Sequence, residues 1–131
     1  MLAFFFDPAE WSAEMSNSKT NLEQKISALV ADFLEQQLGE HAGSVETFLS
    51  GNLATVYARD CFSPGEQALA SNETDWRLFH QFKSQQFDSV KFLLKERLEE
   101  ITGCEVCDIV SAIGPNGMRF EVFTLKKNID N

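Results

Sequence analysis

The sequence has no long apolar run and few of the residues on which most protein chemistry depends. No stretch approaches the ~18 consecutive apolar residues of a membrane-spanning helix. The apolar start at residues 1–6 is too short for a secretory signal, lacks a basic flank and is followed at once by Asp7. The 3 cysteines are an odd number without the spacing of a disulfide framework, which fits a reducing compartment. We therefore expect a cytoplasmic protein that does not insert into a membrane.

Positive charge is scarce in this chain. The 11 Lys and Arg residues are outnumbered by 20 Asp and Glu residues, which gives a formal net charge of −9. The cations within residues 83–97 are interleaved with acidic residues, as is usual on a solvated helix face. A polyanion would be repelled by such a surface. We therefore expect no nucleic-acid partner.

Two capping boxes mark helix starts. With 131 residues, 44% of them hydrophobic, the chain is long enough for one sizeable core. Thr20–Glu23 precedes apolar residues that recur at spacings of three and four up to Gly39, which predicts an amphipathic helix. At Ser63–Glu66 the serine hydroxyl can accept a backbone N–H and Pro64 has no N–H to leave unpaired. We assign Ser63 to architecture and not to catalysis.

Strand-like segments come in two pairs, each joined by a turn. They span residues 45–49, 53–58, 104–113 and 118–125. Between the pairs, a long helical pattern runs from about Asp75 to Ile101, with apolar positions that include Phe82 and Phe87 and with Gly103 as a left-handed C-cap. The order α-β-β-α-α-β-β predicts an α+β fold, a two-layer sandwich with a mostly antiparallel four-stranded sheet and helices on one face.

Both faces of the predicted sheet carry apolar residues. Phe48 opposes Leu49 and Phe123 opposes Val122, and the sequence does not tell which member of each pair faces out. A single helical layer covers only one face of a sheet, and a large uncovered apolar patch usually marks an interface. We therefore expect a homodimer or an obligate complex with a protein partner on the face away from the helices.

The first residues differ in composition from the rest. Residues 1–14 hold three acidic residues and no cation, whereas Met15–Lys19 is typical of a polar N-terminus that leads into a helix. Two interpretations remain open: translation starts at Met15, or the segment is a real extension whose aromatic residues pack on the domain or on a partner. Those aromatic residues are Phe4, Phe5, Phe6 and Trp11. We divide the chain into an N-terminal extension, residues 1–15, and a domain, residues 16–128.

The order and spacing of these motifs resemble the MpsC-like domain, a bacterial family long catalogued as a domain of unknown function. The matching motifs are Gly39, Val45, Gly51-Asn52-Leu53, Phe62–Ala70, Ile101-Thr102-Gly103 and Val122–Leu125, within a resemblance that covers about residues 22–126. His41-Ala42 stands where the family usually has Gly-Pro, and the hairpin loop at residues 114–117 looks shorter than is typical. These departures put in question any contact that the Gly-Pro loop of relatives makes.

The resemblance also implies a function. The family takes its name from a Na⁺-translocating, membrane-potential-generating system. A member is thus expected to be a non-enzymatic accessory component that acts by protein contact, with a membrane transport complex as its partner.

Few residues suggest chemistry. Cys104 and Cys107 are three positions apart, so on a strand their thiols face opposite sides of the sheet, and the sequence offers no second pair. His41 and His80 are the only histidines, and neither stands in a motif that supplies a general base with a positioned partner. We expect no catalytic residue, no metal site and no cofactor, and we assign Cys61 to the core.

The alternative function is a regulatory domain that binds an anion or a small metabolite. In this interpretation the ligand is held by the loop from Gly39 to Gly43 and by the helix start at Ser63, where free backbone N–H groups can bind an anion. The candidate ligand-binding residues are Gly39, His41, Gly43, Ser44, Ser63 and Glu66. A polar pocket beneath this loop would favour the ligand, whereas a flat apolar surface would favour a protein partner.

Overall fold

The computed structural model describes the backbone of residues 8–128 and the side chains of residues 18–128. Three helices and four strands follow one another in the predicted order. They are α1 (Pro8–Leu38), β1 (Ser44–Ser50), β2 (Leu53–Arg59), α2 (Pro64–Ala68), α3 (Glu73–Thr102), β3 (Val106–Ile113) and β4 (Arg119–Leu125), with a 3₁₀ turn at Leu69–Ser71 between α2 and α3.

The four strands form one antiparallel sheet in the order β1-β2-β4-β3. The two hairpins lie side by side, so β1 and β3 are the edge strands and β2 pairs with β4 in the middle. Helix α1 packs on β1, helix α3 packs on β3, and the two helices contact each other. The predicted α+β class, with helices packed on an antiparallel four-stranded sheet, is confirmed.

Most of the predicted boundaries follow from local capping. The Ser63 hydroxyl accepts the Glu66 N–H at 3.2 Å, and the Glu66 carboxylate accepts the Ser63 N–H at 2.9 Å, which is the predicted capping box. Asn72 caps α3 by accepting the Asp75 N–H at 3.1 Å. Gly103 ends α3 with a φ of +69°, a left-handed conformation that glycine adopts without steric cost.

The predicted start of α1 at the Thr20 capping box is wrong. The helix begins at Pro8 and runs through Thr20; the segment before Thr20 has proline at its first position and includes the good helix formers Ala9, Glu10, Ala13 and Glu14. The Glu23 carboxylate does not cap the helix and instead accepts the Leu49 N–H of β1 at 2.9 Å. The alternative in which Phe4, Phe5, Phe6 and Trp11 pack on the domain or on a partner concerns side chains outside the described residues.

The core lies between the helices and the inner face of the sheet. Phe33 of α1 meets Phe87 of α3 edge to face, with ring centroids 6.2 Å apart. Cys61 belongs to this core, as predicted. The other fully enclosed side chains come from both layers and include Ile26, Val30, Leu34, Val56, Leu94, Leu98, Val106, Phe123 and Leu125.

The outer face of the sheet carries no helix among the described residues. Leu49 and Phe123 point into the core, whereas Phe48 is 55% exposed and Val122 is half-buried on the outer side. This resolves the two ambiguous pairs of the sequence. The outer sheet face, as we define it, comprises Phe48, Leu53, Thr55, Tyr57, Val110, Phe120 and Val122.

Candidate functional site

Four charged side chains are buried together where the end of α1, the middle of α3 and the start of β4 meet. Glu40, Lys83, Arg119 and Glu121 are each no more than 4% exposed. Charged side chains are almost never fully buried unless they are paired. This buried charge cluster is therefore the most unusual feature of the described residues.

The turn after α1 places the Glu40 side chain in the cluster. Gly39 adopts a φ of +66°, and the Glu40 N–H bonds back to the Leu34 carbonyl at 3.0 Å. This reversal directs the Glu40 carboxylate inwards. The neighbouring His41 points outwards, where its Nδ1 lies 3.7 Å from Oε1 of the exposed Glu35.

Glu40 is the anion on which both cations converge. Arg119 donates two hydrogen bonds to it in a bidentate contact, from Nε to Oε1 at 2.9 Å and from Nη2 to Oε2 at 2.7 Å. Lys83 Nζ lies 2.6 Å from the same Oε2 and also donates to Gln86 Oε1 at 2.9 Å. Burial alone would lower the pKa of Arg119, but the hydrogen bonds and charge of Glu40 outweigh it and raise that pKa. Glu40 thus ties α3 and β4 to the end of α1.

Glu121 is the weakly paired member of the cluster, in an ion pair with Arg119 but without a hydrogen bond within the described part of the chain. Its Oε1 lies 3.5 Å from Arg119 Nη1, and neither carboxylate oxygen accepts a hydrogen bond from the described residues. Burial raises the pKa of Glu121 to about 8, and the charge of Arg119 only partly offsets this. At neutral pH the group is therefore mostly protonated, which leaves two cations against one anion.

Aromatic rings and a thiol enclose the cluster. Lys83 Nζ lies 5.7 Å from the centre of the Phe62 ring, and Arg119 Cζ lies 5.8 Å from that of Phe87, within the range of cation–π attraction. Burial, followed by the nearby Glu40 charge, raises the pKa of Cys61 to about 12. Because the thiolate is the reactive form, burial disfavours reaction at this thiol.

A small polar cleft opens beside the cluster. It has a volume of about 130 Å³ and lies between α3 and the second hairpin. Ser84, Asp88 and Ser111 line it together with the guanidinium-bearing Arg119, whose Nη1 donates to Ser111 Oγ at 2.8 Å. A wider cleft of about 350 Å³ runs between α1 and the edge strand β1.

Several of the six candidate ligand-binding residues take part in contacts that hold the local backbone. The Gly43 N–H bonds to the Arg59 carbonyl at 2.8 Å, and a Cβ on Gly43 would lie 3.0 Å from Asp60 Oδ2, so the loop fits closely against the residue that leads towards Ser63. Ser44 pairs with Arg59 in the sheet. None of the candidates Gly39, His41, Gly43, Ser44, Ser63 and Glu66 lines either of the two clefts just described.

The sequence did contain a signal for the buried charge cluster. Lys83 falls midway between Phe79 and Phe87, four residues from each, on the apolar stripe of α3. Arg119 and Glu121 fall two residues apart on β4, in step with the core residues Phe123 and Leu125, and therefore share their face. A charged residue at an inward position of an apolar pattern indicates a buried polar network.

The described residues offer neither a group of side chains placed to hold a metal ion nor a membrane-spanning helix. No group of three or more His, Cys, Asp or Glu side chains in the described part of the chain is placed to hold a metal ion. Cys104 is half-buried and Cys107 is exposed. None of the described helices is long and apolar enough to cross a membrane.

These features define an α+β domain whose unusual charges are turned inwards and paired with one another. A family model described as "Na⁺-translocating membrane potential-generating system (MpsC)" matches residues 18–127. The chain therefore belongs to the MpsC family, as its motifs suggested. Comparisons with curated proteins and with solved structures gave no match.

Proposed function

We propose that this chain is a non-catalytic, cytoplasmic accessory component of a Na⁺-translocating, membrane-potential-generating system, and that it acts by contact with a membrane transport complex. Family membership supports the system, and the outer surface of α3 supports the mode of action. Three large apolar side chains are exposed on that surface and favour contact with a partner.

Leu78, Phe82 and Phe92 are 61%, 60% and 57% exposed. The apolar pattern of α3 thus does not have a single face, because Phe82 points away from the Phe87 side that packs in the core. Together with the exposed Gln85 and Ser89, the three residues follow spacings of four, three, four and three. We call these five residues the outer α3 stripe.

The outer α3 stripe has the geometry of a helix-packing seam. At about 100° per residue its members fall on one side of α3, opposite the side that buries Phe87 and Leu94. Spacings of four and three average 3.5 residues, which is the repeat with which helices pack against one another in coiled coils. Covering a large apolar side chain fully stabilises by about 1.5–3 kcal/mol, so three side chains that are more than half exposed favour a helical partner.

The non-catalytic part of the proposal rests on how the charged groups are used. Glu40, Lys83 and Arg119 bind one another, and Cys61 holds its proton because it is buried. Neither cation is a base, the Glu40 carboxylate is occupied by both of them, and a protonated thiol is a weak nucleophile. A structural role for the buried charge cluster is the simplest reading of these contacts.

The experiment uses the full chain in its native cell. A photocrosslinking amino acid at Phe82 should capture an integral-membrane protein, whereas the same amino acid at Arg77, 73% exposed but off the stripe, should not. In membrane vesicles, loss of the chain should lower the Na⁺-dependent membrane potential. Wild type should restore it and Phe82→Glu should not, although the variant folds normally by circular dichroism. An unchanged potential without the chain, or full rescue by Phe82→Glu, would refute the proposal.

One observation favours the alternative, a regulatory domain for an anion or small metabolite. The buried Arg119 lines a polar cleft in a cluster that carries excess positive charge while Glu121 is protonated. Binding of acetate or inorganic phosphate can be followed by the rise in melting temperature. Loss of that rise in Ser84→Ala would assign the ligand to the cleft, and its loss in His41→Ala would assign it to the Gly39–Gly43 loop. No rise with either anion would count against this alternative.

A further inference from the structure

The outer sheet face presents three ordered rows of side chains, fixed by the strand register. From β1 to β3 across the sheet, these rows are Glu46-Tyr57-Phe120-Ala112, Phe48-Thr55-Val122-Val110 and Ser50-Leu53-Thr124-Asp108. Phe48, Val110 and Leu53 are 55%, 59% and 42% exposed, and Tyr57 stacks on Phe120 with ring centroids 4.7 Å apart. Within the rows, charged residues lie only at the ends; beside the rows, the exposed Arg59 of β2 has its Cζ 4.8 Å from the centre of the Tyr57 ring.

We propose that this face is the interface of a homodimer in which two sheets stack about a two-fold axis parallel to the strands. This interface is separate from the outer α3 stripe and goes beyond the proposed function. Sheets that stack in this way lie about 10 Å apart with their strands nearly aligned. The helices of the two copies would then lie on the outside of a four-layer assembly.

The rows are complementary to themselves under that axis. The rotation reverses the strand order, so β1 of one copy lies over β3 of the other. Phe48 then opposes Val110 of the second copy, which sets a large side chain against a small one at both ends of the middle row. Tyr57 opposes Phe120 of the second copy, which extends the aromatic stack.

Charge also fits a second copy. In the same arrangement Glu46 opposes Ala112 and Asp108 opposes Ser50, so no two like charges face each other. This matters because each chain carries a net charge of −9 and two copies repel each other at long range. The outer sheet face is thus a surface through which two acidic chains can meet without opposing their charges.

The area is sufficient for a modest dimer. Strands of 7 residues, four abreast, cover about 400 Å² when spaced about 4.8 Å apart with a rise of about 3.3 Å per residue. Two such faces, whose protruding side chains add to the flat area, together bury the roughly 1,000 Å² that a specific interface needs. We therefore expect dimerisation at micromolar concentration and not at nanomolar concentration.

The test begins with the mass of the full chain by light scattering between about 1 and 100 μM, a range chosen from typical affinities. Wild type should become dimeric within this range. Val110→Glu should shift dissociation at least tenfold to higher concentration while keeping the circular dichroism of the folded chain. Leu78→Glu, at a site that is 61% exposed but on α3, is the matched control and should leave the dimer unchanged.

A pair of variants tests the axis itself. Phe48→Lys and Val110→Glu should each weaken the dimer alone. When mixed, they should form a heterodimer, because one contact pairs the introduced lysine with the introduced glutamate and the other keeps the native Phe48 against Val110. Failure of the mixture to associate would overturn the proposed axis.

Other outcomes assign the face to a different occupant. A wild-type chain that stays monomeric at the highest concentration would overturn the homodimer. If deletion of residues 1–14 then creates a dimer, the N-terminal segment is the cover. If Leu78→Glu dissociates the dimer and Val110→Glu does not, the copies meet through α3, and the proposal is equally wrong.

Discussion

Replacing Glu121 by Gln should remove most of the loss of stability that we expect between pH 5 and pH 8. The substitution keeps the shape of the side chain and deletes the carboxyl group whose pKa burial raises from 4.5 to about 8. In the unfolded chain this carboxyl group ionises near pH 4.5, whereas in the fold it keeps its proton up to about pH 8. The folded state therefore binds more protons in this window, and the free energy of unfolding falls as the pH rises.

The magnitude follows from the two pKa values. They differ by about 3.5 units, and at about 1.4 kcal/mol per unit the upper limit of the loss is about 5 kcal/mol across the window. At pH 7, about 2.5 units above the unfolded value, the wild type has lost about 3 kcal/mol by the same relation. We expect Glu121→Gln to be as stable as wild type within about 1 kcal/mol at pH 5 and more stable above pH 7.

The assay is urea unfolding followed by circular dichroism, at half-unit steps from pH 5 to pH 9 and at one dilute protein concentration. Glu96→Gln, an exposed carboxylate on α3, is the control and should keep the pH dependence of wild type. Parallel curves of the free energy of unfolding against pH for wild type and Glu121→Gln would refute the reasoning. The carboxyl group of Glu121 would then ionise alike in the folded and unfolded states. If the wild type instead gained stability relative to Glu121→Gln as the pH rises to 8, the predicted sign of the pH dependence would be wrong.

Three further perturbations test other parts of the fold by urea or thermal unfolding. Glu40→Ala leaves Lys83 and Arg119 buried without their anion and should cost about 3–5 kcal/mol, whereas the exposed His41→Ala should stay within about 0.5 kcal/mol; similar losses would contradict a structural role for the buried charge cluster. Ser63→Ala should cost about 1 kcal/mol by removing the α2 cap, and a variant that melts like wild type but loses a binding activity would assign Ser63 to a site. Deletion of residues 1–14 should leave the melting temperature unchanged, since the described core residues begin at Leu22, and a fall of several degrees would mean that the extension packs on the domain.

Features that depend on neighbouring residues were predictable from the sequence. The Ser63 capping box and the turn at Gly103 involve residues within four positions of each other, so the local sequence is enough to predict them. The start of α1 was missed because Thr20 has the residue type of a cap while the residues before it favour helix. A cap motif indicates a helix start only where the preceding segment does not itself continue the helix.

Features that depend on distant residues were not predictable in the same way. Arg119 and Glu40 are 79 positions apart, and no local pattern states that the turn after α1 will face β4. The sequence placed His41 and Gly39 among the candidate ligand-binding residues, but the side chain that turns inwards is that of Glu40 between them. Likewise, the period of two identified Phe48 and Leu49 as opposites but could not orient them, because orientation depends on where the helices pack.

The distribution of charge connects the fold with the mode of action that we propose. Burying charges is costly, and a buried ion pair is often no more stable than a packed apolar group of the same volume. What the Glu40 contacts provide is geometry, since one carboxylate fixes α3 and β4 relative to the end of α1. The positions of the outer α3 stripe and of the outer sheet face both depend on that arrangement. A module that acts by contact needs its surfaces held in a fixed relation, and the buried charge cluster supplies that constraint from within.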